Sequence, residues 1–520
     1  MTLFRTICAF AMLGAASHVL AQQSCEGLVS AGIRGITVTS AVSVPAGPFR
    51  LPGRGAASVN VLAFCRVAVT IEKEVRMELW LPQQWNRKLV AVGNGGLAGS
   101  ISFNAMTRPL QLGYAVSSTD TGHQAESTTD GEWALGRMDR IVNFADRATH
   151  LMAEADKLIL ARYYREQLAH AYFSGCSQGG HEAMIEAQRY PNDFEGIIAG
   201  DPANNWTHHY IGGHLWIALA TQRDAWLPAE KVALLADAVN EQCDALDGIR
   251  DGVLNDPRRC HFQPETLLCK GSDTSKCLTA AQVGAVEKIW SGLRTAQGQV
   301  IYPGLVPGGE GGGAGGGGWA AYITGAGPGQ GRHAMLAAPF FRFMVFDDPA
   351  WDMRSFRFEP QDGFDSDIEY TDTRLAAIFN AVNPDLIQFQ GRGGRLIHYH
   401  GWSDPDISPL NSVNYYESVV KARGNDVQGL RNTLSFYRLF MVPGMWHCNG
   451  GPGATSFDML DALDRWVDKG EAPERVIASR VVNGATQRTR PLRPYPLEAQ
   501  WKGAGSTDDA ANFVCALPKP

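Results

Sequence analysis

Past its first twenty residues the chain has no stretch approaching the ~20 uninterrupted apolar residues that a membrane-spanning helix needs. It has no acidic or basic tail, only 19% charged residues and a net charge of -7, so nothing in its balance recruits nucleic acid or an anionic membrane. No two of its ten cysteines have CxxC spacing, which argues against a zinc site. The glycine run at 308–318 lacks the Gly-Lys-Ser/Thr ending that grips phosphate, and reads instead as a mobile loop. What remains is 45% hydrophobic residues in 520 positions, enough for a large core and too long for a usual single domain.

Arg5, the apolar run 7–16 and the small residues around Val19-Leu20-Ala21 predict a signal peptide, 1–21, cut after Ala21. The mature chain is therefore expected to be soluble and secreted or periplasmic. Export makes the remaining nine cysteines legible as disulfides. Neighbour spacing suggests Cys25 with Cys65, Cys243 with Cys260, and Cys269 with Cys277. Pairing Cys176 with Cys448 then leaves Cys515 odd.

Strands are expected near 67–71, 77–81, 88–92, 113–118, 171–173 and 197–199, with helices over 143–165 and 181–189. Between 204 and 391 the alternation breaks, and it resumes with a strand at 395–400, a helix at 412–422, a strand at 436–442 and a helix at 457–469. This predicts an α/β core in two parts, 22–203 and 392–520, interrupted by a lid at 204–391.

Gly175-Cys176-Ser177-Gln178-Gly179 lies between a strand and a helix, the context in which a strained turn exposes a nucleophilic serine. A Cys176–Cys448 bridge would draw His447 to Ser177, as base-activated attack requires. Asp404, the first acid after a later strand, is the candidate to orient the imidazole, and Asp406 is read as a solvated turn residue. Ser, Asp, His is the chain order of α/β-hydrolases. The oxyanion donors expected are the amides of Gln178 and of Gly96 in Gly93-Asn94-Gly95-Gly96. His400 is a candidate for the substrate pocket. Among the aromatics of the inserted segment, Trp319, Tyr322, Phe340, Phe341 and Phe343 read as core unless some face the serine. His123 reads as a turn residue, and the adjacent His208 and His209 as pointing apart rather than sharing a metal.

Within 243–253, Asp244, Asp247 and Asp251 recur with glycines between them, a pattern that can wrap Ca2+ with added carbonyls from Ile249 and Val253. An acidic turn stapled by Cys243 and Cys260 is the plainer alternative. Such an ion would be structural, remote in sequence from the triad.

Residues 175–180, Asp404 and His447-Cys448 resemble the CS-D-HC pattern of the tannase and feruloyl esterase family, which includes bacterial mono(2-hydroxyethyl) terephthalate hydrolase. Further agreement runs through residues 93–96, 120–123, 244–252, 442–445 and 490–492. The resemblance implies an α/β-hydrolase core with a lid, a calcium ion in the lid loop and the disulfide at the nucleophile; the charge balance already leaves no nucleic-acid or membrane partner expected. It implies a small-molecule aromatic ester as substrate: hydroxycinnamates first, then gallates, with a terephthalate monoester in one branch. Arg493 stands where a relative can carry a cysteine able to pair with Cys515, and no lid arginine matches the one that grips the terephthalate carboxylate. A serine peptidase or acyltransferase could use the same triad. A calcium-dependent binding module would leave the Ser, Asp, His order an accident.

Overall fold

The computed structural model describes residues 23–53, 57–272, 274–312, 317–361, 363–424 and 426–518. The expected signal peptide lies outside the described residues, as do positions 313–316 of the glycine run.

Nine strands form one sheet: β1 Ile36–Val44, β2 Phe64–Ile71, β3 Val75–Pro82, β4 Lys88–Val92, β5 Ala115–Thr119, β6 His170–Cys176, β7 Gly196–Gly200, β8 Arg395–Gly401 and β9 Tyr437–Val442. Their spatial order is β1-β2-β3-β5-β4-β6-β7-β8-β9. The β1–β2–β3–β5 edge is antiparallel. From β5 through β4 to β9 all pairs are parallel. Burial follows pairing: β5, β7 and β9 are buried at every position, whereas β2 alternates. A strand covered on both faces reads as a continuous apolar run. Helix Ala148–Tyr164 packs Met152, Ile159 and Leu160 into one face, and helix Met459–Lys469 packs Leu463 and Trp466 into the other.

After Gly200 the chain leaves the sheet and returns at Arg395. The intervening segment holds helices Ala229–Cys243, Ala280–Ser291 and Arg332–Pro339, with an apolar cluster of its own around Leu235, Val239, Ile289 and Trp319. A second cluster is shared, because Trp206, Phe340 and Phe341 pack with Trp133 and Phe144 of the preceding part. Where it is described, the glycine run lies against Trp446. A β-carbon on Gly312 or Gly317 would lie 2.8 or 2.5 Å from the Trp446 ring, so the run's glycines let backbone close over that indole.

Among the described residues four disulfides form, Cys25–Cys65, Cys176–Cys448, Cys243–Cys260 and Cys269–Cys277, and Cys515 is free and exposed. Among the described residues no helix is long and apolar enough to cross a membrane.

Candidate active site

Ser177 sits between the end of β6 and helix Gln178–Arg189 with φ +66° and ψ -119°, a backbone region that a residue with a β-carbon rarely enters. The turn is stitched in place. The Ser177 amide donates to Gly200 O at 3.0 Å, and the Gly179 amide donates to Asn94 O at 3.0 Å. A β-carbon on Gly180 would stand 2.3 Å from Gly200 O, so the helix can approach β7 this closely only with glycine there.

The Cys176–Cys448 bridge spans 272 positions and holds the two Cα atoms 5.9 Å apart, which sets His447 beside the serine turn. Asp201 reinforces the junction, its carboxylate accepting from the Cys448 amide at 2.6 Å and the Gly401 amide at 2.7 Å. Ser177, His447 and Cys448 line one open cleft of about 900 Å3.

Asp404 follows β8. Its Oδ1 accepts the amides of Asp406 and Ile407 at 2.7 and 3.1 Å, leaving Oδ2 for His447 Nδ1 at 2.8 Å. Burial favours the neutral acid, but His447 and His400 outweigh it and hold the Asp404 carboxyl below its ordinary range. Burial likewise lowers the His447 imidazole. Asp404 and Asp406 overcome that and hold it up at about 9.

Two sequence-based expectations need correction. His400 does not line the cleft: it is fully buried, with Nδ1 2.6 Å from Ser412 Oγ and Nε2 3.1 Å from Ile407 O and 3.2 Å from Asp404 Oδ2. It stands behind Asp404. Asp406 is not solvated: it is 3% exposed, with Oδ1 2.8 Å from His214 Nε2 and Oδ2 3.4 Å from His447 Nε2. The inserted segment roofs over the turn that the sequence alone left open.

The glycine-rich turn after β4 is rigid. Asn94 Nδ2 donates to Ser100 O and Thr119 O at 2.7 and 2.9 Å, and the Asn94 amide donates to Glu182 Oε2 at 3.1 Å. The amides of Gly93 and Leu97 are also spent, on Ser174 O and Thr128 O. The amides of Gly95 and Gly96 have no partner among the described residues, both glycines line the cleft with Ser177, and Gln178 opens the helix after the serine. Gly96 has φ +58°, and a β-carbon on it would lie 2.4 Å from Thr128 O.

The cleft walls come from Leu51, Ile101, Phe103, Tyr399 and Arg332. Of the five aromatics singled out in the inserted segment, Trp319, Phe340, Phe341 and Phe343 are buried core, and Tyr322 alone reaches the site, its ring 5.7 Å from that of His447. Arg332 went unrecognised in the sequence. Its guanidinium lies 6.0 Å over the Tyr322 ring, and among the described residues no carboxylate pairs with it. No local pattern marks it, because only the fold of the inserted segment turns it toward the serine. His123 is a buried turn residue, with Nε2 2.9 Å from Leu97 O. His208 pairs with Asp372 while His209 meets Tyr302, so the adjacent histidines do point apart.

At the acidic loop, Asp244 Oδ1 accepts the amides of Asp251, Gly252 and Val253 at 3.0–3.3 Å, and Asp247 Oδ1 accepts the Ile249 amide at 2.9 Å. Asp247, Ile249, Asp251 and Val253 border one cavity. Asp251 Oδ1 is buried without a partner, and burial, then the charges of Asp251 and Asp244, hold the Asp247 carboxyl up at about 6. An orphaned acceptor amid crowded carboxylates fits an oxygen-coordinated cation, although Arg488 and Arg490 already pair with the other Asp251 oxygen at 3.0 and 2.6 Å.

Comparison with known proteins matches this framework along its length. A family model described as tannase and feruloyl esterase covers residues 59–516. An uncharacterised esterase of Xanthomonas campestris pv. campestris is 38% identical over 99% of this chain and 94% of its own. A probable feruloyl esterase B-2 of Aspergillus fumigatus is 30% identical over 89% of this chain and 88% of its own. Among solved structures, feruloyl esterase B from Aspergillus oryzae superposes with TM-score 0.84 at 27% identity, covering 95% of this chain and 99% of that one. Tannin acyl hydrolase from Aspergillus niger, at 21% identity, shares the fold with TM-score 0.74 over 94% and 93% of the two chains.

Proposed function

The chain belongs to the tannase and feruloyl esterase family and is a carboxylic ester hydrolase; from that premise we propose that it cleaves esters of aromatic carboxylic acids, hydroxycinnamates before gallates, through an acyl-enzyme on Ser177. The observation that carries this reading is the strained Ser177 in one cleft with a partly buried His447 whose Nδ1 is held 2.8 Å from Asp404.

In the first step Ser177 Oγ attacks the ester carbonyl carbon and its proton passes to His447 Nε2. Charge on the carbonyl oxygen is met by the amides of Gln178 and Gly96, both free to donate. The tetrahedral adduct collapses with loss of the alcohol, which takes the proton from His447. Water then gives a proton to His447, attacks the acyl carbon, and the acid leaves as Ser177 regains its hydrogen. Phe103, Ile101 and Tyr399 supply the apolar wall for an aromatic acyl group.

The acidic loop is the proposed seat of a structural Ca2+ ion, held by the carboxylates of Asp244, Asp247 and Asp251 and the carbonyls of Ile249 and Val253. Its chemistry there is charge neutralisation and loop closure. Secretion or periplasmic export is proposed from the N-terminal segment, and four disulfides accord with an oxidising compartment.

Arg332 favours a second reading in which the acyl group carries a free carboxylate, as in mono(2-hydroxyethyl) terephthalate. The test is turnover of methyl ferulate, methyl gallate, mono(2-hydroxyethyl) terephthalate and a short aliphatic p-nitrophenyl ester by the parent and by Ser177→Ala. The variant is expected to lose at least about 10³-fold in kcat/KM and all labelling by a fluorophosphonate. Normal turnover by Ser177→Ala would sink the mechanism, and activity on the aliphatic ester alone would overturn the substrate class.

A further inference from the structure

His447 is flanked by two carboxylates, not one. Asp404 Oδ2 stands 2.8 Å from Nδ1, and Asp406 Oδ2 stands 3.4 Å from Nε2, the nitrogen to which the proposed mechanism passes the Ser177 proton. One turn sets both acids, because the Asp406 amide donates to Asp404 Oδ1. Asp406 is aimed from behind: Oδ1 lies 2.8 Å from His214 Nε2 and 3.4 Å from His333 Nε2, both on the inserted segment and both buried. A carboxylate cut off from water depends wholly on such partners.

We propose that Asp406 is a positioning residue that holds the protonated form of His447 from the Nε2 side, so that the enzyme becomes active as that proton leaves. The inference rests on the assignment of His447 as the general base. An imidazolium has two N–H donors; here Nδ1 is hydrogen-bonded to Asp404, and Nε2 lies within ion-pair distance of Asp406. A neutral ring that keeps its Nδ1 proton on Asp404 turns a lone pair toward Asp406, an unfavourable contact that the hydroxyl of Ser177 relieves. Asp406 also stabilises the imidazolium formed when Ser177 gives up its proton. The result is a stronger base, available only at higher pH.

Other groups face the ring. Asp201, after β7, adds negative charge, and His400 on β8 lies beyond Asp404. His209 and His214 approach from segment His209–Leu215, His333 and Arg332 from helix Arg332–Pro339, and Tyr322 stands 5.7 Å away. Burial pushes His214 down to about 4 and His209 well below its ordinary range, so neither cancels the charge of Asp406.

The experiment is the pH profile of kcat/KM on methyl 3,4-dimethoxycinnamate, an ester without a titrating phenol, for the parent, Asp406→Asn and His447→Ala. The acid limb of Asp406→Asn is expected to move down by about one to two pH units, the effect of removing a charge at this range. Its plateau kcat is expected to fall, because the imidazolium of the transition state loses a counter-charge. A limb that superimposes on the parent's overturns the role of Asp406. If Asp406→Asn fails to fold, His214→Asn removes the donor that aims the carboxylate; a smaller downward shift supports the proposal, and an unmoved limb overturns it. Turnover retained by His447→Ala would instead overturn the base assignment itself.

Discussion

At the scale of the residue, Arg332 is a cation in the cleft with no carboxylate paired to it among the described residues. Arg332 lines the same cavity as Ser177, and its planar fork matches a carboxylate in two parallel hydrogen bonds. Arg332→Leu is expected to lower kcat/KM for mono(2-hydroxyethyl) terephthalate by about 10- to 100-fold, the worth of one charge-assisted contact of roughly 1.5–3 kcal/mol. Methyl ferulate, which has no free carboxylate, should change little. Equal losses on both esters would mean that Arg332 shapes the wall and reads no charge. The contrast between Arg332 and Ser177 shows where sequence reading stops. Ser177 is legible because its whole setting, strand, turn, flanking glycines and helix, is contiguous. Arg332 and Asp406 take their surroundings from segments distant in the chain, and His400 is enclosed by the turn and helix that follow β8, so neither the spacing of Asp404 and Asp406 nor the position of His400 on its strand reveals which faces solvent.

At the scale of the element, the serine turn and the histidine turn are joined by a covalent link whose loop closes 272 positions. The chain-entropy model assigns such a loop on the order of 5 kcal/mol. Reducing agent would open four bridges at once, so the clean variant is Cys176→Ala with Cys448→Ala. It is expected to lower the unfolding midpoint and, more sharply, kcat, because His447 loses the tether that fixes it beside Ser177. Full activity at 25 °C with a lowered midpoint would show that Asp201, through the Cys448 and Gly401 amides, suffices to hold the junction. Elements buried on both faces are the ones visible in the sequence, as β4, β7 and β9 are. Strand β1 escapes notice because only Val38 and Ala41 along it are buried, so its sequence carries little apolar pattern and its pairing with β2 defines it.

At the scale of the whole molecule, the acidic loop lies where the inserted segment meets the C-terminal part of the chain. Asp251 pairs with Arg488 and Arg490 of strand Ala485–Leu492, and Asn255 and Arg259 reach Glu498. An ion drawing on Asp251 Oδ1, Asp247 and the neighbouring carbonyls would therefore brace three parts of the sequence at once, far from the triad in its chemistry. A ligand that binds only the folded state stabilises it by about 2.7 kcal/mol when present at a hundredfold its Kd. Dialysis against a chelator should thus lower Tm by several degrees, and added Ca2+ should restore it where equal Mg2+ restores less, because six to eight flexible oxygen ligands suit the larger ion. Asp247→Ala should remove the Ca2+ response of Tm while leaving fluorophosphonate labelling of Ser177 intact at 25 °C. A Tm indifferent to chelator and to Ca2+ in the parent would leave the loop as an acidic turn stapled by Cys243 and Cys260 and closed by its two arginines. Loss of labelling on metal removal would instead mean that the brace reaches the cleft, through the insertion that carries both this loop and the histidines behind Asp406.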